Sequence, residues 1–250
     1  MEVSLVRRAE AAVRFLIAVR WRCFRAVRPL VDGKSGLEIG GPSVVFEGGV
    51  RRLPIYPRVE SLDNCDFSRD TTWAAHQESY TFSAEKAPGK NIFQDASNLS
   101  SVASHTYDFI LSSHNLEHFA NPVKALHEWI RVTRSGGGLI LVLPNYSQTF
   151  DHRRTPTSVD HMFEDLRRDT QEDDLTHVPE ILDKHDLSLD PLAGSAEEFR
   201  RRSLDNFNNR CLHHHVFDTR NSRELLTRCG LNVLAVEAAD LHIFLVARIP

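Results

Sequence analysis

Residues 107–144, YDFILSSHNLEHFANPVKALHEWIRVTRSGGGLILVLP, contain one helical pattern between two apolar runs. Tyr107 to Ser113 has the pattern of a buried strand. Leu139 to Leu143 is a continuous apolar run bounded by Pro144, which is typical of a central parallel strand covered on both faces. Between these runs, Pro122 to Arg134 repeats apolar residues at spacings of three and four, as one face of a helix does. The residues on that face are Val123, Leu126, Trp129 and Ile130.

The predicted helix also has end signals. Asn121 and Pro122 are residue types that start helices, and the three glycines Gly136-Gly137-Gly138 predict its end. A strand, a helix and a second strand in this order indicate a doubly wound α/β sheet.

Three shorter strands are predicted on the N-terminal side of this unit. Leu37 to Ile39 runs into Gly40-Gly41-Pro42-Ser43, and a strand that ends at glycines indicates close approach of the backbone to a ligand. Val59 to Phe67 predicts a second strand, and Asn91 to Phe93 predicts a third that ends at Gln94-Asp95-Ala96-Ser97.

On the C-terminal side, residues 146–212 are polar, rich in histidine and without a strand pattern, which indicates an insertion with short helices over Val159–Arg168 and Ala196–Asn208. A helix near Asn221–Arg228, ended by Gly230, precedes two strands joined by a short turn. Those strands are Leu231–Ala238 and His242–Ile249.

The predicted fold is therefore α/β: a Rossmann-like, doubly wound, mostly parallel sheet with an antiparallel C-terminal hairpin and a helical insertion after the fifth strand. Residues 1–32 are predicted to form a basic N-terminal helix. Residues 33–250 are predicted to form one domain, with 146–212 as an acceptor-site insertion or lid.

Charge is distributed unevenly along the 250 residues. The first 28 residues contain seven arginines and two glutamates, so a net charge of −4 for the chain leaves −9 on the remainder. A mainly acidic body excludes a general nucleic-acid binder. The basic helix is expected to cover the sheet edge or a pocket; the alternative is peripheral contact with an anionic membrane or partner.

Two features predict a cytoplasmic location. The longest apolar run near the N-terminus, Phe15 to Val19, is too short to span a bilayer and lacks the context of a secretory signal. The four cysteines form no CxxC pair and lie far apart in the sequence, which fits a reducing compartment.

Three segments together carry a family resemblance: Gly36–Gly41, Tyr107–His118 with Asn121-Pro122, and Arg131–Pro144. In this order and spacing they resemble the class I S-adenosylmethionine-dependent methyltransferases, particularly the type 11 branch. The resemblance spans about residues 35–145 and implies a methyltransferase that uses S-adenosylmethionine as cofactor.

The resemblance implies the cofactor-binding residues Glu38, Gly40, Gly41, Asp63, Asp95, Ala96 and Ser113. The glycines let the backbone reach the cofactor, and Glu38 occupies the place of the family's acidic residue near its amino-acid moiety. An acid after the second strand is expected to bind the ribose; Asp63 is preferred and Asp66 is the alternative. Pro42 departs from the family pattern because it removes one backbone donor.

Methyl transfer to a hydroxyl requires a group that removes its proton. His152 follows the fifth strand and is the predicted general base, while His114 and His118 on the loop after the fourth strand are rival bases and pocket-lining residues. Arg153 and Arg154 are candidates for holding an anionic or polyhydroxylated acceptor.

Carboxylates and histidines in the insertion suggest a metal site as well. Asp173, Asp174, His177 and His214 are candidate ligands of a divalent ion, and magnesium or manganese would suit carboxylate ligands better than zinc. The alternative is a solvated acidic run.

The resulting hypothesis is methyl transfer to a hydroxyl of a small polar acceptor. Segments 151–154, 172–177 and 213–217 resemble a subgroup of type 11 proteins that acts on saccharides, so a sugar hydroxyl is the first candidate. The alternatives are an N- or C-methyltransferase of a small metabolite, and an inactive methyltransferase-like binding protein.

Overall fold

The computed structural model describes residues 22–49, 52–73, 75 and 78–250. Eight strands form one sheet in the order β3-β4-β2-β1-β5-β6-β8-β7. The strands are β1 (Ser35–Ile39), β2 (Ser61–Asp66), β3 (Ser79–Tyr80), β4 (Gly89–Phe93), β5 (Tyr107–Ser113), β6 (Thr133–Pro144), β7 (Asn232–Ala239) and β8 (His242–Arg248). Strands β4, β2, β1, β5 and β6 are parallel, whereas β3 and β8 run antiparallel to their neighbours. The predicted fold class is confirmed.

The described helices are α1 (Arg22–Val31), α2 (Pro122–Val132), α3 (Val159–Arg168), α4 (Val178–Lys184), α5 (Ala196–Leu204), α6 (Asn206–Asn209) and α7 (Thr219–Arg228). Residues 145–231, all of which the structure describes, contain helices and loops but no strand. They rise from the end of β6 and return to the sheet through α7. The second predicted insertion helix is divided at Asp205 into α5 and α6, and α4 was not predicted.

The core lies on both faces of the sheet. Along β5, Phe109 and Leu111 pack into the cluster on the α1 face, whereas Ile110 packs into the cluster on the α2 face. Successive side chains of a strand point to opposite faces. Burial on both faces therefore explains why the central strands are continuous apolar runs instead of alternating ones.

One end signal acts differently from the prediction. Helix α2 ends at Val132, with Thr133 as its C-cap, so the helix is two residues shorter than predicted. The three glycines lie inside β6, where Gly136 has a φ of +76°. They therefore form the start of the strand and not the stop of the helix.

The described part of the basic N-terminal segment packs on the sheet. Helix α1 buries Cys23, Phe24, Val27, Leu30 and Val31. The Glu237 carboxylate of β7 accepts hydrogen bonds from the backbone N–H groups of Arg22 (2.9 Å) and Cys23 (3.2 Å). Residues 1–21, and with them most of the predicted basic helix and its alternative role in membrane contact, lie outside the described residues. Within the described ranges, no helix combines the length and apolar character needed to cross a bilayer.

Candidate active site

The carboxyl ends of the parallel strands open into a cavity of about 740 Å³. One wall is formed by the residues that follow β1, β2, β4 and β5, and the insertion after β6 forms the opposite wall. This is the edge at which ligands bind in open parallel sheets. The volume lies within the range of pockets that enclose small organic ligands.

The turn after β1 brings backbone to the cavity wall. Gly40 has a φ of +69°, and a Cβ built on it would lie 2.4 Å from Oδ1 of Asn115. Its N–H donates to the carbonyl of Cys65 (2.9 Å), and the Gly41 N–H donates to Oδ1 of Asn64 (2.8 Å). Both the conformation and the close packing require a glycine at position 40.

Glu38 is fully buried beneath this turn and does not line the cavity. Its carboxylate accepts hydrogen bonds from the hydroxyls of Tyr80 (2.6 Å) and Tyr56 (3.0 Å) and from the Ser43 N–H (3.2 Å). Burial raises the pKa of Glu38 to about 7, against the hydrogen bonds that lower it. Its contacts are those of a residue that shapes the turn from below.

Strand β2 continues to Asp66, so the preferred residue Asp63 lies inside the strand and the alternative, Asp66, stands at its end. Asp63 accepts hydrogen bonds from the Lys90 N–H (2.8 Å) and the Tyr107 hydroxyl (2.9 Å) and lies away from the cavity. Asp66 lines the cavity beside Phe67.

Three other predicted cofactor residues also lie on the cavity wall: Asp95, Ala96 and Ser113. Oδ1 of Asp95 accepts hydrogen bonds from the N–H (2.8 Å) and hydroxyl (2.7 Å) of Ser97, while its Oδ2 lies 3.3 Å from Nη2 of Arg210. The carbonyl of Ser113 accepts a hydrogen bond from Nδ2 of Asn115 (3.1 Å). Asp95 thus acts as a turn cap and also faces the cavity.

His152, the predicted general base, does not reach the cavity. Its Nδ1 donates to the Thr149 carbonyl (3.0 Å), and its Nε2 lies 3.7 Å from Asp186 on the outer surface. Residues 151–154 form a tight turn, so Asp151 and Arg154 point inward while His152 and Arg153 point outward. The position of His152 contradicts the role assigned to it.

Besides His185, the insertion wall carries His213, which the sequence analysis did not select. Its Nδ1 lies 2.5 Å from Oδ2 of Asp151, and Oδ1 of Asp151 accepts a hydrogen bond from Nη1 of Arg154 (3.0 Å). Burial would lower the pKa of His213, but the charge of Asp151 and its hydrogen bond outweigh burial and raise it. Burial likewise opposes the ionisation of Asp151, but His213 and Arg154 hold its pKa at about 2.

Beside this pair lies Glu117, which is fully buried in the loop after β5 and also lines the cavity. Neither carboxylate oxygen accepts a hydrogen bond from the described residues, and Oε1 lies 4.0 Å from Nε2 of His118. Burial raises the pKa of Glu117 to about 7. A ring nitrogen of His118, one of His213 and a carboxylate oxygen of Glu117 lie within 4.8 Å of one another.

The two rival bases also line the cavity. Nδ1 of His118 donates to the Leu212 carbonyl (3.0 Å), whereas Nε2 of His114 shares a hydrogen bond with Nδ1 of His242 (2.8 Å). Burial lowers the pKa of His118 well below its usual range. Only His213 among these three has a carboxylate within hydrogen-bond distance.

The predicted metal ligands do not form one ligand set. Asp173 is exposed, Asp174 accepts a hydrogen bond from the Thr176 hydroxyl, and Nε2 of His214 accepts one from Nδ2 of Asn206 (3.0 Å). The ring centroid of His177 lies 6.2 Å from that of His214, but nearer to those of His161 (5.0 Å) and His215 (5.8 Å). Two of the four candidates are therefore neighbours, and among the described residues no metal-competent group contains all four.

Comparison with known proteins identifies the class. Residues 64–141 match the family model Methyltransf_11, described as "Methyltransferase domain". This match confirms the resemblance to the class I, type 11 methyltransferases over the matched segment, which runs from β2 to β6. No curated protein matches the chain.

Solved structures with similar chain arrangements include the N-methyltransferase NodS of Bradyrhizobium japonicum WM9, at 13% identity, covering 92% of this chain and 93% of that chain with a TM-score of 0.49. A putative methyltransferase complexed with the Trm112 activator of Haloferax volcanii is 15% identical. The match covers 97% of this chain and 95% of that chain, with a TM-score of 0.49. A putative methyltransferase of Bacillus halodurans C-125 has 14% identity, coverage of 91% and 97%, and a TM-score of 0.48.

The strand-end wall of the cavity fits the cofactor of this family. Gly40 and Gly41 line the cavity, so the turn after β1 brings backbone atoms to its wall. Carboxylates stand at the ends of two neighbouring strands, Asp66 after β2 and Asp95 after β4. This wall therefore combines backbone atoms of the turn with two carboxylates. Such a combination suits a ligand that has an amino-acid part and ribose hydroxyls.

Proposed function

We propose that this protein transfers a methyl group from S-adenosylmethionine to a hydroxyl of a small polar acceptor, with His213 as the general base. When bound, the cofactor supplies an electrophilic methyl group. The observation that carries the proposal is the hydrogen-bonded pair of His213 and Asp151 on the insertion wall, across the cavity from the strand ends.

The pair has the chemistry of a base held in one orientation. Asp151 accepts the Nδ1–H of His213, which leaves Nε2 as the nitrogen that can receive a proton. Asp151 is itself fixed by Arg154, whose Nη1 also donates to the His213 carbonyl (2.8 Å). A base whose pKa lies near the working pH combines availability with proton affinity.

The insertion wall supports a polyhydroxylated acceptor, with a saccharide as the first candidate. It presents charged groups, including Glu172 and Arg210, which suit hydroxyls that both donate and accept. The Phe150 ring lies 4.8 Å from the His213 ring and gives the acceptor an apolar surface beside the base.

Glu117 favours a second candidate mechanism within the same reaction. Its unpartnered carboxylate, with His118 and His213, forms a set of two imidazoles and one carboxylate that suits a divalent transition metal. Asp151 and the Leu212 carbonyl would orient the two histidines, as outer partners do around metal ligands. A bound ion would then lower the pKa of the acceptor hydroxyl in place of a free base.

The decisive experiment compares His213→Gln with His152→Gln, because both remove a histidine but only the first removes one from the cavity. Saccharides and other hydroxyl compounds are screened with S-adenosylmethionine, and methylated product is detected by mass spectrometry. His213→Gln is expected to lower kcat about 10²- to 10⁴-fold, the range of a general base. His152→Gln should leave kcat nearly unchanged.

Chelator distinguishes the two mechanisms. The free base is supported if activity survives chelation and if kcat/KM rises with pH. The pKa of that rise should lie above the pKa of an ordinary histidine. Activity lost on chelation and restored by added Mn²⁺ supports the metal. Transfer to nitrogen or carbon that is unaffected by His213→Gln would overturn both.

A further inference from the structure

A second histidine cluster lies in the insertion, outside the cavity wall. Nε2 of His161 and Nε2 of His177 are 3.1 Å apart, and Oδ2 of Asp165 lies 3.6 Å from Nε2 of His161 and 3.7 Å from Nε2 of His215. A ring nitrogen from each of the three histidines falls within 4.8 Å of the other two. Three ring nitrogens therefore lie close together, and the Asp165 carboxylate lies beside two of these histidines.

Burial makes this arrangement costly without a shared partner. Asp165 is 7% exposed and His215 is 1% exposed. Oδ2 of Asp165 takes part in no hydrogen bond with the described residues, whereas Nε2 of His215 lies 3.3 Å from the Ala120 carbonyl. A buried polar atom without a partner loses stability, so such atoms are normally paired with protein, water or an ion.

We propose that His161, Asp165, His177 and His215 bind one Zn²⁺ ion. Zinc takes nitrogen and carboxylate ligands at about 2.0–2.2 Å in tetrahedral geometry, which places ligand atoms about 3.3 Å apart. The separations of 3.1, 3.6 and 3.7 Å lie near that value. Zinc binding would also bring Asp165 closer to His177 and would release Nε2 of His215 from the Ala120 carbonyl, 3.3 Å away. Three imidazoles favour zinc over magnesium, which prefers oxygen ligands.

The site would join three separate parts of the insertion. His161 and Asp165 lie one turn apart on α3 and therefore on one face of it. His177 directly precedes α4, and His215 belongs to the segment that returns to the sheet. The Thr170 hydroxyl donates to Oδ1 of Asp165 (3.1 Å), which leaves Oδ2 for the metal. Four ligands from the chain make this a closed, structural site, unlike a catalytic one that keeps a position open.

The proposal does not rest on the proposed function. His213 lies two residues before His215 but faces the cavity, and the two clusters share no residue. Zinc at the second cluster would fix the chain segment that carries His213. Its presence is therefore measured by metal content and stability, independently of methyl transfer.

The experiment uses the full chain, stripped with chelator and dialysed against Zn²⁺. Zinc is counted by mass spectrometry, and its affinity is measured by competition with a chromogenic chelator. The variants are His177→Ala and Asp165→Asn, with His127→Ala as the matched control because His127 is exposed on α2. Glu117→Gln separates the cavity cluster from this one.

The wild type, His127→Ala and Glu117→Gln are expected to bind zinc at this site and to gain Tm when it is added. His177→Ala and Asp165→Asn should lose one equivalent or weaken its binding at least 10-fold. Failure of the wild type to bind zinc, or unchanged zinc binding by both ligand variants, would overturn the proposal.

A second measurement covers variants that fail to fold. The wild type and Glu117→Gln are loaded with Co²⁺, and their visible spectra are recorded. Intense absorption of a tetrahedral Co²⁺ site with nitrogen and oxygen ligands is expected in both proteins. A weak octahedral spectrum, or loss of the tetrahedral spectrum in Glu117→Gln, would contradict the assignment.

Discussion

At the scale of single residues, Gly40 and Gly136 offer a matched comparison. Both have a positive φ, but only at Gly40 would a Cβ collide with a neighbour, the Asn115 side chain. Alanine at either position lowers the free energy of unfolding by about 1–2 kcal/mol, because it must adopt the left-handed conformation. We expect Gly40→Ala to lose further stability and to weaken S-adenosylmethionine binding at least 10-fold, because the turn must shift.

Urea unfolding and calorimetry would measure both effects. Gly136→Ala should lower the free energy of unfolding without changing cofactor affinity, because its Cβ meets nothing within 4 Å. Equal losses of affinity in the two variants would show that the turn after β1 is not the contact surface.

Glu38 predicts a pH dependence of stability. Because burial raises its pKa from 4.5 to about 7, the folded state binds this proton more tightly than the unfolded state does. The contribution of Glu38 to the free energy of unfolding is therefore fully present below pH 4.5 and is lost as the pH rises through 7. Between pH 5 and 8 we expect the wild type to lose about 2–3 kcal/mol more than Glu38→Gln.

The measurement is urea unfolding of both proteins at pH 5 and pH 8, compared as a difference. Subtracting the variant removes the contributions of the buried histidines, which change in the opposite direction over part of this range. Parallel pH curves for the two proteins would contradict a raised pKa at Glu38.

Cofactor affinity tests which of the two acids, Asp63 or Asp66, binds the ribose. Asp66→Asn is expected to weaken S-adenosylmethionine binding at least 10-fold, because Asp66 lines the cavity at the end of β2. Asp63→Asn should weaken it less while lowering stability, because it removes the acceptor of the Tyr107 hydroxyl. Calorimetry of both variants decides between them, and a larger loss in Asp63→Asn would restore the first assignment.

Individual residues also show where sequence reasoning reaches its limit. The glycine turn and Asp95 could be located because their residue types follow strands, and strand ends meet at one edge. His213 could not be chosen from its neighbours His214 and His215, because the orientation of three consecutive histidines in an irregular segment depends on packing. The turn at 151–154 likewise sends Asp151 inward and His152 outward, which its sequence does not indicate.

At the scale of elements, Glu237 ties α1 to a distant strand. Its two carboxylate oxygens accept the N–H groups of Arg22 and Cys23. We expect Glu237→Ala to cost about 1 kcal/mol, the net contribution of a typical hydrogen bond. Urea unfolding would measure it against Glu60→Ala, a substitution of an exposed glutamate.

The apolar run Tyr107–Ser113 gave the bounds of β5, because burial on both faces leaves little freedom of composition. The run Leu139–Leu143 located only the second half of β6. The two-residue strand β3 was missed since two residues make no period. The break between α5 and α6 was missed because Asp205 is a common residue in helices as well as at their ends.

At the scale of the whole molecule, alternation of strands and helices predicts a parallel sheet but not which strands are neighbours. The order β4-β2-β1-β5-β6 depends on long-range packing, which periodicity does not encode. The insertion was recognised as a unit by its composition. Its contacts with the sheet, which create the site, could not be predicted.

One contact between the insertion and the sheet has a thermodynamic consequence. Arg210 pairs with Asp95 on the sheet side and with Glu172 (3.0 Å) on the insertion side, so two carboxylates share one guanidinium. A ligand that binds Asp95 breaks its ion pair with Arg210, and Arg210 then pairs with Glu172 alone. A ligand that binds Glu172 has the opposite effect, and Arg210 then pairs with Asp95 alone. Reciprocity requires each ligand to change the affinity of the other by the same factor. The two halves of the cavity therefore do not fill independently.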